Sequence, residues 1–374
     1  MQELPLFIFL GSFLLFAIST FGAIRSKKVL WLLSSYVAFA LLLFNTALFS
    51  SYTLYGKDVY VEYYIISSTL DEGRIDFQSS VFSHALYVSA LIPTICMVTD
   101  MNPTIFYKFL YPILITLQAP LLYLILRTLC KNERILKLSM IFSLLVPYTS
   151  YVSSIRFGFS LIVYLVIMIL TIRIFIEKHM ISSNLLALTL MTISLPLCYY
   201  TVGMTLLMLL SSLYLVFLAI QKDRVLRNTV LLITFITSAS FFLYAFYISI
   251  ILRMHIFNIV YSMMRYPEIL GERAGYAITV YGLPYHVKRF VTLFPYALAT
   301  LGVGLSLSSI IYKWLTKRLI GFISYNEYGE IIFVWLLIFL LVNVVLAFTR
   351  TGFVFLFITF NPLFTLGVYT VYSL

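Results

Sequence analysis

Long runs of apolar residues alternate with short polar stretches along the whole chain. The runs have the length of about 20 residues that an α-helix needs to cross a bilayer. They lack the strict alternation of a transmembrane β-barrel, so helices are expected. The predicted fold is all-α, a polytopic transmembrane bundle in which residues 1–374 form a single domain. Eleven spans are predicted near residues 5–24, 29–50, 104–126, 136–153, 157–176, 181–200, 203–220, 229–252, 290–312, 331–349 and 353–372.

Composition agrees with this pattern and excludes several other classes of protein. The chain has 374 residues, of which 62% are hydrophobic and 10% are charged. Soluble domains are about half apolar and about a quarter charged. A soluble enzyme, a disordered chain and a nucleic-acid-binding protein are therefore excluded. The three cysteines form no CxxC motif, so neither a disulfide framework nor a zinc site is indicated.

The net charge of +11 is best explained by membrane topology. Lys and Arg accumulate in short cytoplasmic loops, and most basic residues of this chain lie in or beside one alternate set of short loops. That set is predicted to be cytoplasmic, which puts the N-terminus outside and the C-terminus in the cytoplasm. Its members are Arg25, Lys27, Lys28, Arg127, Lys131, Arg134, Lys137, Arg173, Lys178, Lys222, Arg224, Arg227, Lys313, Lys317 and Arg318.

Residues 81–99 are apolar enough to form a twelfth span, but the charge pattern argues against it. If they crossed the membrane, every later loop would change sides, and most of the cytoplasmic basic residues would lie outside. His84 and Pro93 also suit a segment that does not face lipid across its whole length. The segment is predicted to be a helix that lies at the outer interface or dips part-way into it.

The polar chemistry is concentrated in two long loops on the predicted outer face. The first external loop, residues 51–103, holds six of the 14 acidic residues. The second, residues 253–289, is basic and includes His286 and Arg289. An acidic loop opposite a basic loop suits a catalytic acid or a metal that faces a ligand carrying phosphate.

The sharpest local feature is a carboxylate pair, Asp58 and Glu62, which directly follows the second span. If this segment is helical, residues four apart share one face of the helix. Two such carboxylates could act as a general base or could bind a divalent cation, Mg²⁺ or Mn²⁺. The same pattern also suits a solvated loop helix whose acids have no catalytic role.

Two arginines lie on the predicted outer face with almost no loop around them. Arg156 begins the fifth span, and Arg350 separates the last two. An arginine at this depth can simply extend its charged end into water. Alternatively, its guanidinium can hold a lipid-linked phosphate at the level of the headgroups.

Short motifs in the two loops and at the ends of spans occur in a characteristic order. In sequence and order they resemble those of an uncharacterised family of archaeal polytopic membrane proteins, which is similar to the GT-C superfamily of glycosyltransferases. The resemblance runs from about residue 50 to the C-terminus. Cys198 and Tyr199 depart from it, since the family has Ser-His there. The motifs occupy residues 56–64, 70–73, 106–112, 154–156, 198–201, 266–268, 285–289 and 349–350.

The resemblance implies a glycosyltransferase with its active site on the outer face and a donor sugar linked to polyprenyl phosphate. GT-C enzymes place a catalytic acid in the first external loop, and Asp58 is the position that matches. Asp58 would deprotonate an acceptor hydroxyl, while Glu62 would orient Asp58 or hold a metal. The leaving lipid phosphate would be neutralised by Arg156, Arg350, His286 and Arg289.

The implied partners are the lipid-linked sugar donor, membrane lipid and a glycan or protein acceptor. Three other functions stay open at this point. An O-antigen-type polysaccharide polymerase or ligase has a similar size and uses external arginines, although the acid-rich first loop argues against it. A transporter or flippase would carry ionisable groups near mid-bilayer, whereas the charges here lie at the ends of spans. A non-enzymatic subunit would require a membrane-protein partner.

Overall fold

The computed structural model describes parts of the chain up to residue 261, and every element assigned there is helical, with no strand in those parts. The all-α class is therefore confirmed for the described residues. Within them, no helix combines the length and the hydropathy that crossing a membrane requires. The described residues are 3–25, 28–44, 57–76, 83, 85–111, 114, 117–129, 133, 136–137, 155–177, 182–198, 211, 224–244, 253–254, 257 and 261.

The helices follow five of the apolar runs closely, whereas the run at 104–126 corresponds to three shorter helical elements, Pro103–Ile105, Phe106–Leu110 and Gln118–Leu129. Five long helices coincide with the runs at 5–24, 29–50, 157–176, 181–200 and 229–252. The runs at 290–312, 331–349 and 353–372 lie outside the described residues, as does nearly all of 136–153 and 203–220. The α-helices are α1 (Glu3–Arg25), α2 (Val29–Phe44), α3 (Lys57–Glu72), α4 (Ile92–Thr99), α5 (Pro103–Ile105), α6 (Gln118–Leu129), α7 (Ile155–Glu177), α8 (Ser182–Cys198) and α9 (Arg224–Leu243).

Contacts between residues divide the chain into two compact units. The first comprises Met1–Ile125, Tyr148–Leu207 and Leu232–Arg253. The second comprises Leu126–Pro147, Met208–Leu231 and Met254–Leu374. Helices α1 to α5, α7 and α8 all belong to the first unit.

Helices α1 and α2 pack closely along each other, and a glycine permits the approach. A Cβ atom placed on Gly22 would lie 2.6 Å from Cδ2 and 2.7 Å from Cε3 of the Trp31 ring. These distances are well inside van der Waals contact, so any larger residue at position 22 must displace the indole. The indole is a rigid ring in a residue that is 38% exposed, so it must shift as a whole to make room.

We expect Gly22→Ala to lower the free energy of unfolding by about 1–3 kcal/mol through overpacking against Trp31. The matched control is Gly11→Ala on the same helix, where a new Cβ meets nothing within 4 Å. That control should stabilise the protein by up to about 1 kcal/mol, since alanine favours helix more than glycine. Thermal unfolding in detergent micelles measures both variants, and equal shifts would contradict the assigned contact.

The described residues that follow α3, up to Leu110, fold mainly as consecutive short helical pieces that pack on α3. A π-helical segment, Tyr87–Leu91, leads into α4, and a second, Phe106–Leu110, follows α5. Pro93 is the second residue of α4, directly after the π-helical segment. The segment 81–99 is thus helical over its described part, as the sequence predicts.

Two caps shape the turn between α4 and α5. Asp100 adopts the left-handed conformation, with φ of 51°, and its backbone N–H bonds to the carbonyl of Cys96. The Asn102 side chain then accepts a hydrogen bond from the backbone N–H of Thr104 at 2.8 Å. The caps end one helix and start the next within three residues, and they bring the residues after Pro103 back towards α3.

Candidate functional site

The carboxylate pair predicted in the first loop lies on one helix. Asp58 is in the first turn of α3, and Glu62 follows one turn later on the same side of the helix axis. The condition on which the pairing depended, a helical segment, is therefore met. The Glu62 side chain is among those that the structure describes, while the Asp58 side chain lies outside them.

Glu62 and Arg156 form a buried ion pair. Arg156 Nε lies 3.3 Å from Glu62 Oε1, and the two side chains are 6% and 0% exposed respectively. Tyr107 Oη donates a hydrogen bond to the other carboxylate oxygen, Oε2, at 3.4 Å. One carboxylate thus joins three parts of the chain: α3, the π-helical segment after α5, and the start of α7.

Aromatic rings and a hydroxyl extend this network. The rings of Tyr63 and Tyr107 lie 6.3 Å apart between centroids, a distance typical of aromatic pairs. Thr104 Oγ1 donates a hydrogen bond to Tyr63 Oη at 3.3 Å. Because Tyr63 immediately follows Glu62, these contacts hold the same turn of α3 that carries the ion pair.

The first turn of α7 contacts several elements besides α3. The Phe159 ring lies 5.0 Å from that of Tyr87 and 6.2 Å from that of Tyr111, between centroids. Gln118 Nε2 donates a hydrogen bond to the carbonyl of Gly158 at 3.4 Å. The ion pair therefore lies beside a packed cluster, whose buried members are Val59, Ile65, Ile66, Ala85, Val88, Ile92, Cys96, Phe106, Tyr107 and Tyr111.

Burial makes Glu62 and Arg156 depend on each other. Removing an ion from water costs several kcal/mol, and the attraction of the partner offsets part of that cost. The contact between Arg156 and Glu62 is an ion pair in which Nε and Nη1 of the guanidinium make no hydrogen bond. Arg156 is also the second residue of α7, where the helix dipole disfavours a positive charge. Glu62 offsets both the guanidinium and the positive end of the dipole, so the loss of either partner would leave an uncompensated buried charge.

The opposite side of α3 is exposed. Tyr60 and Tyr64, four residues apart, have 48% and 68% of their surface exposed. At 3.6 residues per turn, Tyr64 lies about 200° around the helix from Glu62. These tyrosines therefore face away from the ion pair and do not belong to the candidate site.

Cys96 of α4 is buried in the cluster against α3, and burial raises the pKa of its thiol. A raised pKa lowers the fraction of reactive thiolate at neutral pH. Cys96 is thus a packing residue.

The structure brings together two of the six predicted site residues. Glu62 and Arg156 are in contact, and Asp58 lies one turn from Glu62. His286, Arg289 and Arg350 lie outside the described residues. Within the described part of the chain, no group of three or more His, Cys, Asp or Glu side chains is arranged to hold a metal ion.

Sequence reasoning missed Tyr107, Tyr63 and Thr104. Tyr107 stands inside the motif at 106–112 but was assigned no role. One signal could have identified it: a tyrosine within an apolar run normally needs a hydrogen-bond partner when it is buried. Glu62, on a loop predicted to lie on the same face, was an available acceptor.

Comparison with known proteins finds no relative of this chain. No protein-family model matches the chain, and neither a curated protein nor a solved structure matches it.

Proposed function

We propose that the chain is an integral, multi-pass membrane protein. On α1, six large apolar side chains are between 46% and 62% exposed, while Ser12 and Ser19 are buried. On α8, Leu186 is 61% exposed and Thr192 is fully buried. Apolar surface outside with small hydroxyl residues inside is typical of helices in lipid. The exposed residues of α1 are Leu10, Phe13, Leu14, Leu15, Ile18 and Phe21.

The Glu62–Arg156 contact supports the proposed topology. Positive-inside analysis assigns the first loop and the start of the fifth span to the outer face, and a direct ion pair requires them to lie on the same side. If residues 81–99 crossed the membrane, the start of the fifth span would lie on the opposite side from the first loop, so the contact also favours a segment that does not cross.

Within this frame, we propose a glycosyltransferase of the GT-C type. The sugar is transferred from a polyprenyl-phosphate-linked donor to a glycan or protein acceptor at the outer face. The observation that carries the proposal is a helix beginning beside Asp58 and anchored one turn later by a buried charge network. Such anchoring holds a catalytic acid in a fixed place, as acid–base catalysis requires.

The proposed reaction is a single displacement at C1 of the sugar. Asp58 accepts the proton of the acceptor hydroxyl as its oxygen forms a bond to C1. The bond between C1 and the phosphate oxygen breaks, the electron pair leaves with polyprenyl phosphate, and the configuration at C1 is inverted. Arg350, His286 and Arg289 are the basic residues assigned to neutralise the leaving phosphate.

Glu62 does not fit the role of metal ligand in this arrangement. One of its oxygens faces the guanidinium of Arg156 and the other accepts from Tyr107. A divalent cation bound there would lie beside a fixed positive charge, which raises its energy in a buried site. Were Mg²⁺ or Mn²⁺ to take part, Asp58 would have to bind it without Glu62.

The proposal is tested by reconstituting the purified protein in liposomes with a polyprenyl-phosphate-linked hexose labelled in the sugar. Short glycans serve as acceptors. We expect the label to move to the acceptor while polyprenyl phosphate is released. Repeated addition to a growing chain would instead identify a polymerase. Movement of intact donor across the bilayer, without cleavage, would identify a flippase and overturn the proposal.

A further inference from the structure

We propose that Arg156 is a positioning residue, which holds α3 in place through Glu62 with the help of Tyr107, and that it is not a ligand of the donor phosphate. For its catalytic readout this inference rests on the proposed function. The sequence alone assigns Arg156 to the phosphate, and it assigns no role to Tyr107. The burial of the guanidinium and its contacts favour the positioning role over phosphate binding.

Access is the first argument. The Arg156 side chain is 6% exposed, and its Nε faces the carboxylate of Glu62 at 3.3 Å. A lipid phosphate is a large, solvated group that needs an open approach to the guanidinium. A phosphate at this guanidinium would also lie beside the Glu62 carboxylate, and like charges at short range repel strongly in a buried site.

Connectivity is the second argument. Glu62 lies on α3, Tyr107 on the π-helical segment after α5, and Arg156 at the start of α7. A carboxylate held by both partners fixes the distance between these three elements. Asp58 lies on the same helix, one turn before Glu62, so a shift of α3 moves Asp58 with it. Misplacement of a reacting group by about 1 Å can reduce a rate about 100-fold.

The two roles predict different kinetics. If Arg156 is a positioning residue, Arg156→Glu should lower kcat for sugar transfer about tenfold or more, because α3 would no longer hold Asp58 in its place. The KM for the donor should change by less than about twofold. As a ligand that neutralises the leaving phosphate, the same substitution should lower kcat and also raise the donor KM well beyond twofold.

Charge reversal of the whole pair separates the roles further. Adding Glu62→Arg to Arg156→Glu should recover most of the lost kcat, since attraction between the two positions is restored. A phosphate ligand would not be rescued, because position 156 would still carry a negative charge. The matched control reverses Glu72 and Arg74, an ion pair of the same 3.3 Å length whose side chains are 48% and 81% exposed. That reversal should leave transfer unchanged.

Hydrogen–deuterium exchange of α3 gives a readout that needs no activity. Protection of residues 59–70 should fall in Arg156→Gln and in Glu62→Gln, and recover in the neutral double variant, even if the reversed pair folds poorly. Unchanged protection together with a raised donor KM would overturn the inference. Absence of transfer in every protein, wild type included, would refute the proposed function while the exchange data still decide whether the pair holds α3.

Discussion

Asp58→Asn is expected to reduce sugar transfer by about 10²–10⁴-fold, the usual contribution of a positioned general base. Asparagine has nearly the same shape as aspartate but cannot accept the proton of the acceptor hydroxyl. The expected loss is therefore in kcat, with the fold retained. The measurement is initial transfer rate in proteoliposomes, alongside thermal unfolding of both proteins in detergent.

The control for this substitution is Asp71→Asn. Asp71 lies on the same helix, in its last turn, and its side chain is exposed. The same chemical change there should leave both the rate and the unfolding temperature unaltered. A wild-type rate in Asp58→Asn would remove Asp58 from the mechanism, and a similar loss in Asp71→Asn would point to a general effect of charge on α3.

The extents of the long helices could be predicted from hydrophobicity because each is an uninterrupted apolar run. The run at 157–176 corresponds to Ile155–Glu177, and that at 181–200 to Ser182–Cys198. The run at 229–252 gives a later start than the observed Arg224, since the first turn of α9 contains Arg224 and Arg227. A polar first turn is stable in a helix but carries no apolar signal, so hydropathy alone places the boundary too late.

The π-helical segments and the ion pair could not be predicted in the same way. A π turn changes the hydrogen-bonding pattern of a helix without changing which residue types it contains. The contact between Glu62 and Arg156 joins positions far apart in the sequence, and local spacing gives no information on such pairs. The topology prediction places both residues on the outer face of the membrane, which the contact requires. It does not show which of the charged residues on that face pair with each other.

Removal of one member of the buried pair should be strongly destabilising. We expect Arg156→Met to lower the free energy of unfolding by about 3–5 kcal/mol, because the Glu62 carboxylate would remain buried without its counter-charge. Adding Glu62→Met should return most of that loss, since two apolar side chains can fill the space left by the ions. Thermal unfolding in detergent micelles measures the two single variants and the double variant as a cycle.

The matched control is Arg74→Met, which breaks the exposed pair with Glu72 at the same distance of 3.3 Å. Exposed pairs contribute less than about 1 kcal/mol, so this variant should unfold within a few degrees of the wild type. If Arg156→Met and Arg74→Met had equally small effects, burial would not be what couples Glu62 to Arg156. A large loss that the double variant does not recover would place the role of Arg156 in the packing of its side chain at the start of α7.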